Sequence, residues 1–323
     1  MTDEKVGNII QAMGLAEALG LEATLKRIHP QPPLSWLPPK LCPDSLALIG
    51  HRGPSDLVPP WPDLAIGVGR RAVRPLLALR AASRKAGSTR PTVIIQVQRP
   101  TLPAARFDLV IVPQHDGLSG PNVIQMLGSI HRVTKPRLAA DKQAFSSTFK
   151  DLPERRLAVL LGGRNKVHRF DVDQARGLGR SLAELARRES LGLMITPSRR
   201  SDPKVTAALI GQLGSVPYRC WDGQGDNPYY AILASATAAV VTEDSVNMVT
   251  ESAAAGLPVF VVGLRGGSAK FERFHKDMQE AGLTRPYEAN LDLWSPPPFD
   301  EMPNLARQIA QRLPFPAEDL CRV

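Results

Sequence analysis

The residues with the clearest chemical meaning lie in Val240–Val262, where an apolar run, a polar turn, a helical stretch and another apolar run follow one another. The turn is Thr242–Ser245, and Ser245 stands at the expected N-cap of the helix. A helix that begins at the carboxyl end of a parallel strand offers free N–H groups to an anion. Glu251, on the same helix of small residues, fits the hydroxyls of a ribose beside that anion. The alternative is an ordinary solvated glutamate.

Other turns in the same half of the chain carry groups that suit a phosphate or a sugar. Gly162 and Gly163 directly follow an apolar run, and paired glycines let a backbone approach a ligand closely. Asn227 is a predicted N-cap, with Pro228 at the first helical position. Each turn alone is more typical of plain turn chemistry, but together they predict one binding edge. The candidate nucleotide- and phosphate-binding residues are Gly162, Gly163, Arg164, Arg199, Arg200, Asn227, Thr242, Ser245 and Glu251.

The first half of the chain has a glycine turn of its own. Gly67–Ala72 matches G-x-G-x-x-A after an apolar run, but no acidic residue lies in 86–92, where a dinucleotide site needs one. The basic side chains Arg70, Arg71 and Arg74 instead predict contact with an anionic acceptor or a lipid surface, with Leu76, Leu77 and Leu79 as an apolar stripe. The alternative is a basic helix start on the protein surface.

Catalytic candidates are few. His115 and Asp116 follow another apolar run and could act as base and orienting group, although a lone pair in a turn is more often structural. The chain has no H-E-x-x-H, no G-x-S-x-G and no Cys/His cluster, which excludes zinc proteases of that type and nucleophile-elbow hydrolases. Neither a metal site nor a resident cofactor is expected.

The elements that position these groups are predicted from seven short, nearly continuous apolar runs. Such runs are typical of parallel strands buried on both faces, and their alternation with helical stretches predicts a doubly wound α/β protein. The length of 323 residues favours two domains. The pattern lapses at 131–136, where Lys135 and Pro136 suit neither a helix nor an inner strand. We therefore expect an acceptor-side or partner-side domain over 1–133, a nucleotide-side domain over 137–295 and a C-terminal helix within 300–323.

Composition narrows the partners and the compartment. The formal net charge is +9, which favours an anionic partner, but the basic residues are dispersed and no RRM-like motif occurs, so nucleic acid is not expected. The three cysteines are far apart, which excludes disulfide scaffolds and fits a reducing compartment. No apolar run approaches the roughly 20 residues of a membrane span. We expect a cytoplasmic protein, with peripheral contact to the inner membrane as an option.

Several segments together resemble the ELM-type (elongated mitochondria) fission family and its bacterial relatives, over nearly the whole chain. The segments that carry the resemblance are Gly7–Gly20, Pro62–Arg71, Arg106–Val110, Val112–Gly117, Leu161–Gly163, Ser198–Arg200, Asn227–Tyr229, Val241–Val246 and Lys270–His275.

The resemblance implies a fold like that of GT-B glycosyltransferases, with two Rossmann-like domains facing each other across a cleft and a last helix crossing back to the first. The second half also looks like that of the N-acetylglucosaminyltransferase that makes lipid II. By that likeness Gly162, Gly163 and Ser245 would lie near a diphosphate and Glu251 near a ribose. Two functions stay open: transfer from a nucleoside diphosphate sugar to a lipid-linked or anionic acceptor, and a non-catalytic scaffold that recruits a protein partner.

The chain departs from the family pattern at its start. The family begins with an apolar strand before the Gly7-Asn8 loop, whereas this chain has the polar segment Met1–Lys5. The expectation is a first domain that is one inner strand short, or one whose true start lies upstream. Lys5–Gly7 is predicted as a loop, followed by a helix from Asn8.

Overall fold

The computed structural model describes residues 1–28, 57–87 and 91–313, together with Leu46. The chain divides into two compact units. The first unit is Met1–Arg132 with the segment that begins at Glu301, and the second unit is Val133–Asp300.

The first unit carries a four-stranded parallel sheet in the order β1-β2-β3-β4. Its inner strands are largely apolar because helices cover the sheet, and all five residues of β2 are buried, the polar Gln96 among them. The elements in chain order are α1 (Val6–Ala18), β1 (Leu64–Val68), α2 (Val73–Lys85), β2 (Val93–Val97), β3 (Leu109–Pro113) and β4 (Val123–Met126).

The polar N-terminal segment pairs inside this unit. Thr2 forms parallel bridges with Arg27 on one side and with Val68 of β1 on the other, and Thr2 is fully buried. The N–H of Ile28 donates to the Thr2 carbonyl at 2.9 Å. No strand lies in Met1–Lys5, which agrees with the prediction of a first sheet that is one strand short, although the Thr2 bridges place backbone beside β1. The predicted loop at Lys5–Gly7 is wrong in part, because α1 begins at Val6.

The basic helix α2 does not present an apolar stripe to its surroundings. Leu76, Leu77 and Leu79 are all buried in the core of the first unit. Arg80 is held by the carboxylate of Asp108 at 3.2 Å. The predicted lipid-facing stripe is thus wrong, since these leucines cover the sheet instead.

The second unit carries a six-stranded parallel sheet in the order β12-β10-β9-β5-β7-β8 and a small antiparallel pair, β6 with β11. Its elements are α3 (Lys135–Ala144), β5 (Arg156–Leu161), β6 (His168–Arg169), α4 (Val172–Glu189), β7 (Gly192–Pro197), α5 (Pro203–Ile210), β8 (Tyr218–Cys220), α6 (Tyr229–Ser235), β9 (Ala238–Thr242), α7 (Val246–Ala254), β10 (Val259–Val262), β11 (Arg265–Gly266), α8 (Ala269–Glu280) and β12 (Thr284–Pro286). The chain then enters α9 (Met302–Ala310), which packs in the core of the first unit.

Local sequence explains where the helices of the second unit begin. The carboxylate of Asp171 accepts the N–H of Gln174 at the start of α4. Thr134 caps α3, which begins at Lys135 and holds Pro136 in its first turn. The prediction that Lys135 and Pro136 suit no helix is wrong, because proline is tolerated in the first turn, where its missing N–H has no intrahelical partner. The α/β prediction itself is confirmed, since both main sheets are parallel and carry helices between their strands.

Candidate functional site

A buried carboxylate joins three strand ends of the second unit. Asp244 follows β9, and its side chain has no exposed surface. It accepts the N–H of Gly163 at 3.0 Å and the hydroxyl of Thr242 at 2.7 Å. Arg200, after β7, lies 2.8 Å from the same carboxylate. The carboxyl edges of β5, β7 and β9 are therefore fixed to one another by a single charged network.

The paired glycines after β5 are part of that network. A Cβ on Gly162 would come within 2.0 Å of Asp244 Oδ1, and one on Gly163 would come within 2.1 Å of the Arg200 carbonyl. The N–H of Gly162 donates to Thr242 Oγ1 at 2.7 Å, and that of Gly163 donates to Asp244. Contacts within the protein thus explain both glycines, and both N–H groups that a phosphate loop would need are already used.

Positive charge surrounds the same edge. Arg164, after β5, and Arg199, after β7, are exposed. Arg200 also donates to the carbonyl of Gly163 at 3.2 Å, so its guanidinium spans two loops. These cations would attract an anionic ligand to the edge, although Arg200 is largely committed to Asp244.

The start of α7 differs from the capped start that the sequence predicts. Ser245 is the N-cap residue and is buried, but its hydroxyl makes no capping hydrogen bond. The N–H groups of the first helical turn have no acceptor within the helix, as at every helix start. The start of a helix is a position at which proteins bind anions.

Glu251 lies on α7, buried to 3% exposure. Its Oε2 accepts the hydroxyl of Tyr229 at 2.6 Å, whereas its Oε1 is buried and has no hydrogen-bond partner. Burial raises the pKa of this carboxyl to about 7, against the opposing effect of the Tyr229 hydrogen bond. A buried acceptor without a donor is costly, so Oε1 is suited to a donor that a ligand supplies.

Tyr229 reaches Glu251 from the start of α6. The helix begins at Tyr229, with Pro228 as the N-cap residue, so the predicted boundary is one residue early. Asn227 is exposed and still satisfies the helix start, because its Oδ1 accepts the N–H of Tyr229 at 3.0 Å. Burial and the neighbouring Glu251 raise the pKa of the Tyr229 hydroxyl well above its ordinary value, which keeps it a donor.

The sequence does not predict a role for two histidines that lie next to the Thr242–Ser245 loop. His168, which is 1% exposed, has its Nε2 3.7 Å from Glu243 Oε1. His275 of α8 contacts the backbone carbonyl of Glu243 at 2.8 Å through Nε2. Desolvation by burial lowers the pKa of His275, which favours its neutral form. These contacts hold the loop that leads into α7; their spacing in sequence gives no signal, since they come from three separate segments.

The predicted catalytic residues lie in the first unit. His115 is 3% exposed and sits in a short turn of 3-10 helix after β3. Asp116 is half-buried, and its backbone carbonyl accepts a 2.9 Å hydrogen bond from Arg99. Their role as a base stays a prediction.

The predicted acceptor-side cations begin at another glycine turn of the first unit. Gly69 has φ of 80°, and Arg70 and Arg71 follow it in a short 3-10 turn with both side chains exposed. Arg74 is half-buried in the first turn of α2.

A polar network beside this turn also escapes sequence reasoning. Gln98 has a left-handed backbone, with φ of 71°, and its amide donates to Asn8 at 2.9 Å and to Gln11 at 3.1 Å. Asn8 in turn donates to the buried carboxylate of Asp3 at 2.7 Å. The signal in the sequence is weak, because single polar residues after a strand are common.

Two features are absent from residues 1–28, 57–87 and 91–313, the ranges that the structure describes. Within these ranges, no cluster of three or more His, Cys, Asp or Glu side chains could hold a metal ion. In the same part of the chain, no helix combines the length and the apolarity that crossing a bilayer requires.

Comparison with known proteins places the chain in a family. A model of the mitochondrial fission ELM1 family matches residues 6–313. The chain belongs to this family. It is 29% identical over 248 residues to the mitochondrial fission protein ELM1 of Arabidopsis thaliana, an alignment of 68% of this chain and 58% of the plant protein. The chain thus spans less than two thirds of that relative.

Solved structures with similar coordinates include a UDP-GlcNAc 2-epimerase and MurG. UDP-GlcNAc 2-epimerase from Methanocaldococcus jannaschii superposes with a TM-score of 0.48 at 12% identity, over 77% of each chain. MurG from Acinetobacter baumannii gives a TM-score of 0.47 at 13% identity, over 99% of this chain and 90% of that one.

Proposed function

We propose that the second unit of this ELM1-family protein binds a nucleoside diphosphate sugar at the carboxyl edge of its sheet. The observation that carries the proposal is the buried Oε1 of Glu251, which has no hydrogen-bond partner. Such an acceptor, on the helix that starts at the same edge, fits a ribose hydroxyl as the missing donor.

The ribose end of the proposed site consists of Glu251 and Tyr229. The ionised carboxylate accepts hydroxyl hydrogen bonds better than the protonated form, because charge-assisted bonds are stronger. Ribose hydroxyls would donate to Oε1 and share Oε2 with the Tyr229 hydroxyl, which already lies 2.6 Å away. Binding would therefore favour the loss of a proton from Glu251.

The diphosphate end consists of the start of α7 and the exposed arginines. The first-turn N–H groups and the Ser245 hydroxyl supply donors, and Arg164 and Arg199 supply charge. The Gly162-Gly163 backbone contributes shape rather than donors, because Thr242 and Asp244 use its N–H groups. Asn227 would act indirectly, by holding the N–H of Tyr229.

The proposal extends to sugar transfer. The bond between the sugar's anomeric carbon and the diphosphate oxygen would break, and an acceptor hydroxyl would bond to that carbon as it gives up its proton. Asp116 or His115 would take the proton, and the helix start and Arg164 would stabilise the negative charge on the departing diphosphate. Arg70, Arg71 and Arg74 would attract an acceptor that is anionic or lipid-linked.

A second candidate function is a scaffold that binds a protein partner without catalysis. Membership of a family whose plant relative is described as a mitochondrial fission protein favours it. The commitment of the Gly162 and Gly163 N–H groups to protein acceptors also suits a unit that has no need of a phosphate loop.

Calorimetric titration of the full chain distinguishes nucleotide binding from the scaffold function. We expect UDP, GDP or ADP, or a sugar derivative of one of them, to bind, and Glu251→Gln to weaken binding roughly 10-fold or more through the loss of charge-assisted bonds. The matched control is Glu280→Gln, on the exposed end of α8. Absence of heat with every nucleotide would favour the scaffold. Binding that produces no sugar transfer to water or to a lipid extract would limit the protein to nucleotide recognition.

A further inference from the structure

A cavity of the second unit is lined by residues other than those of the proposed nucleotide site. It has a volume of about 340 Å³ and runs along α4 where β10 and β12 end. This volume lies within the range of small-molecule sites in proteins, about 300–1,000 Å³.

The topology places this cavity and the nucleotide site on opposite faces of the sheet. The crossover β5-α4-β7 runs toward β8, whereas the crossover β9-α7-β10 runs toward β12. Because both crossovers of a parallel sheet are right-handed, α4 and α7 cover different faces. The packing agrees, since Leu178 and Leu182 of α4 share a core with Val159 and Val240 that contains no residue of α7.

The walls of the cavity are apolar with one polar corner. Phe170, Leu178 and Leu264 supply apolar surface. At the corner the hydroxyls of Ser181 and Tyr287 lie 2.9 Å apart, and each keeps hydrogen-bonding capacity beyond that bond.

The charges around the cavity favour a neutral ligand. Among its eleven lining residues, the charged one is Glu288, a carboxylate. Beside it, the Arg188 guanidinium donates to the carbonyl of the lining residue Ala289 at 3.2 Å, so one carboxylate and one guanidinium offset each other. A neutral ligand with hydroxyl groups would find a donor and acceptor pair, a carboxylate acceptor and apolar surface.

Two glycines of the lining have no packing reason to be glycine. Gly177 lies in the middle of the 18-residue helix α4, where glycine costs about 1 kcal/mol relative to alanine. A Cβ on Gly177 would meet nothing within 4 Å, and the same holds for Gly263 at the end of β10. Both residues line the cavity. A larger side chain at either position would fill open space that is now available to a ligand.

We infer that this cavity binds an uncharged, hydroxyl-rich small molecule of the size of a monosaccharide, with its hydroxyls at Ser181 and Tyr287 and its carbon face on the apolar wall. The site is independent of the proposed nucleotide site, because it uses other residues on the other face of the sheet.

Saturation-transfer NMR on the full chain tests the inference with glucose, mannose and N-acetylglucosamine as probes. We expect saturation of at least one sugar, and its loss in Gly177→Leu, which fills the cavity. That variant should melt about 2 °C higher, because it removes a mid-helix glycine, so loss of binding cannot come from unfolding. Arg180→Leu, on the exposed face of the same helix, is the matched control and should keep the signal.

A second variant tests the polar corner. Tyr287→Phe keeps the ring and removes one hydroxyl, and should weaken sugar binding about two- to tenfold. No transfer to any of the three sugars would overturn the inference. So would equal transfer in wild type and Gly177→Leu, or transfer to uridine and adenosine but to none of the sugars.

Discussion

The carboxylate of Asp244 occupies the space beside Gly162 that any side chain there would need. A Cβ on Gly162 would lie 2.0 Å from Asp244 Oδ1, and that carboxylate is fixed by Gly163, Thr242 and Arg200. The loop after β5 and the loop after β9 therefore depend on each other, and the start of α7 follows directly from the second of them.

Gly162→Ala should destabilise the second unit. The added methyl would push on a carboxylate that cannot move without losing buried hydrogen bonds, and overpacking of this kind costs about 1–3 kcal/mol. Chemical denaturation measures the loss. Gly177→Ala, where a Cβ meets nothing, should instead stabilise the protein by about 0.5–1 kcal/mol. Equal midpoints for the two variants would contradict this account.

The stability of the protein should fall as pH rises from about 4.5 to about 7. The pKa of Glu251 is raised from 4.5 to about 7 by burial in the folded state, so the unfolded chain binds fewer protons between those values. The full effect is about 3 kcal/mol and is complete above pH 7. The Glu251→Gln variant should not show this loss of stability when urea denaturation is measured at a series of pH values. If the free energy of unfolding of the variant depends on pH as in the wild type, the Glu251 carboxyl is not the source.

Nucleotide affinity should rise as pH increases from 6 to 8. The proposed ribose contact needs the ionised Glu251, whose pKa is about 7 in the free protein, so binding at pH 6 should be roughly tenfold weaker than at pH 8. Calorimetry at both values measures this. Glu251→Gln is the control for titration of the phosphates themselves, and an identical pH dependence in that variant would remove Glu251 from the site.

Tyr229→Phe should move the Glu251 titration to higher pH. The Tyr229 hydroxyl donates to Glu251 Oε2 and opposes the effect of burial on the pKa, so its removal leaves desolvation less opposed. The pH midpoint of nucleotide affinity should shift upward by a measurable fraction of a pH unit. A downward shift would show that this hydrogen bond favours the protonated carboxyl instead.

Any contact of the first unit with anionic lipid should be electrostatic alone. Arg70 and Arg71 are exposed, whereas the leucines of α2 are buried in the core. Flotation with phosphatidylserine vesicles should fall on raising the salt and in Arg70→Glu/Arg71→Glu, at about 1 kcal/mol per arginine. Binding to neutral vesicles of equal strength would contradict an electrostatic contact.

The apolar runs predict the central strands well because a strand buried on both faces must be apolar throughout. The run at Leu64–Val68 matches β1, and the run at 157–161 matches β5 to within a residue. The sequence does not predict β4, because this strand is short and carries the exposed Gln125. The outer strands β8 and β12 escape because three residues show no periodicity.

The candidate site shows a different limit of sequence reasoning. Glu251 could be singled out because the helix around it is small and apolar, which makes a charged residue conspicuous. The sequence does not show why residues 162 and 163 must be glycine, because the atoms that leave no room for a side chain belong to Asp244 and Arg200, far away in the chain. His168 and His275 meet the Thr242–Ser245 loop only through tertiary packing. The facing of the two units across a cleft stays a prediction.

The two outer strands of the six-stranded sheet, β8 and β12, are three residues long, and β12 ends in Pro286, which has no N–H to offer. Such short edge strands offer few backbone N–H and C=O groups with which a strand of another molecule could pair. At high protein concentration, this sheet should therefore not extend into fibrils by adding strands from other molecules. Self-association of the unit would have to use contacts between side chains.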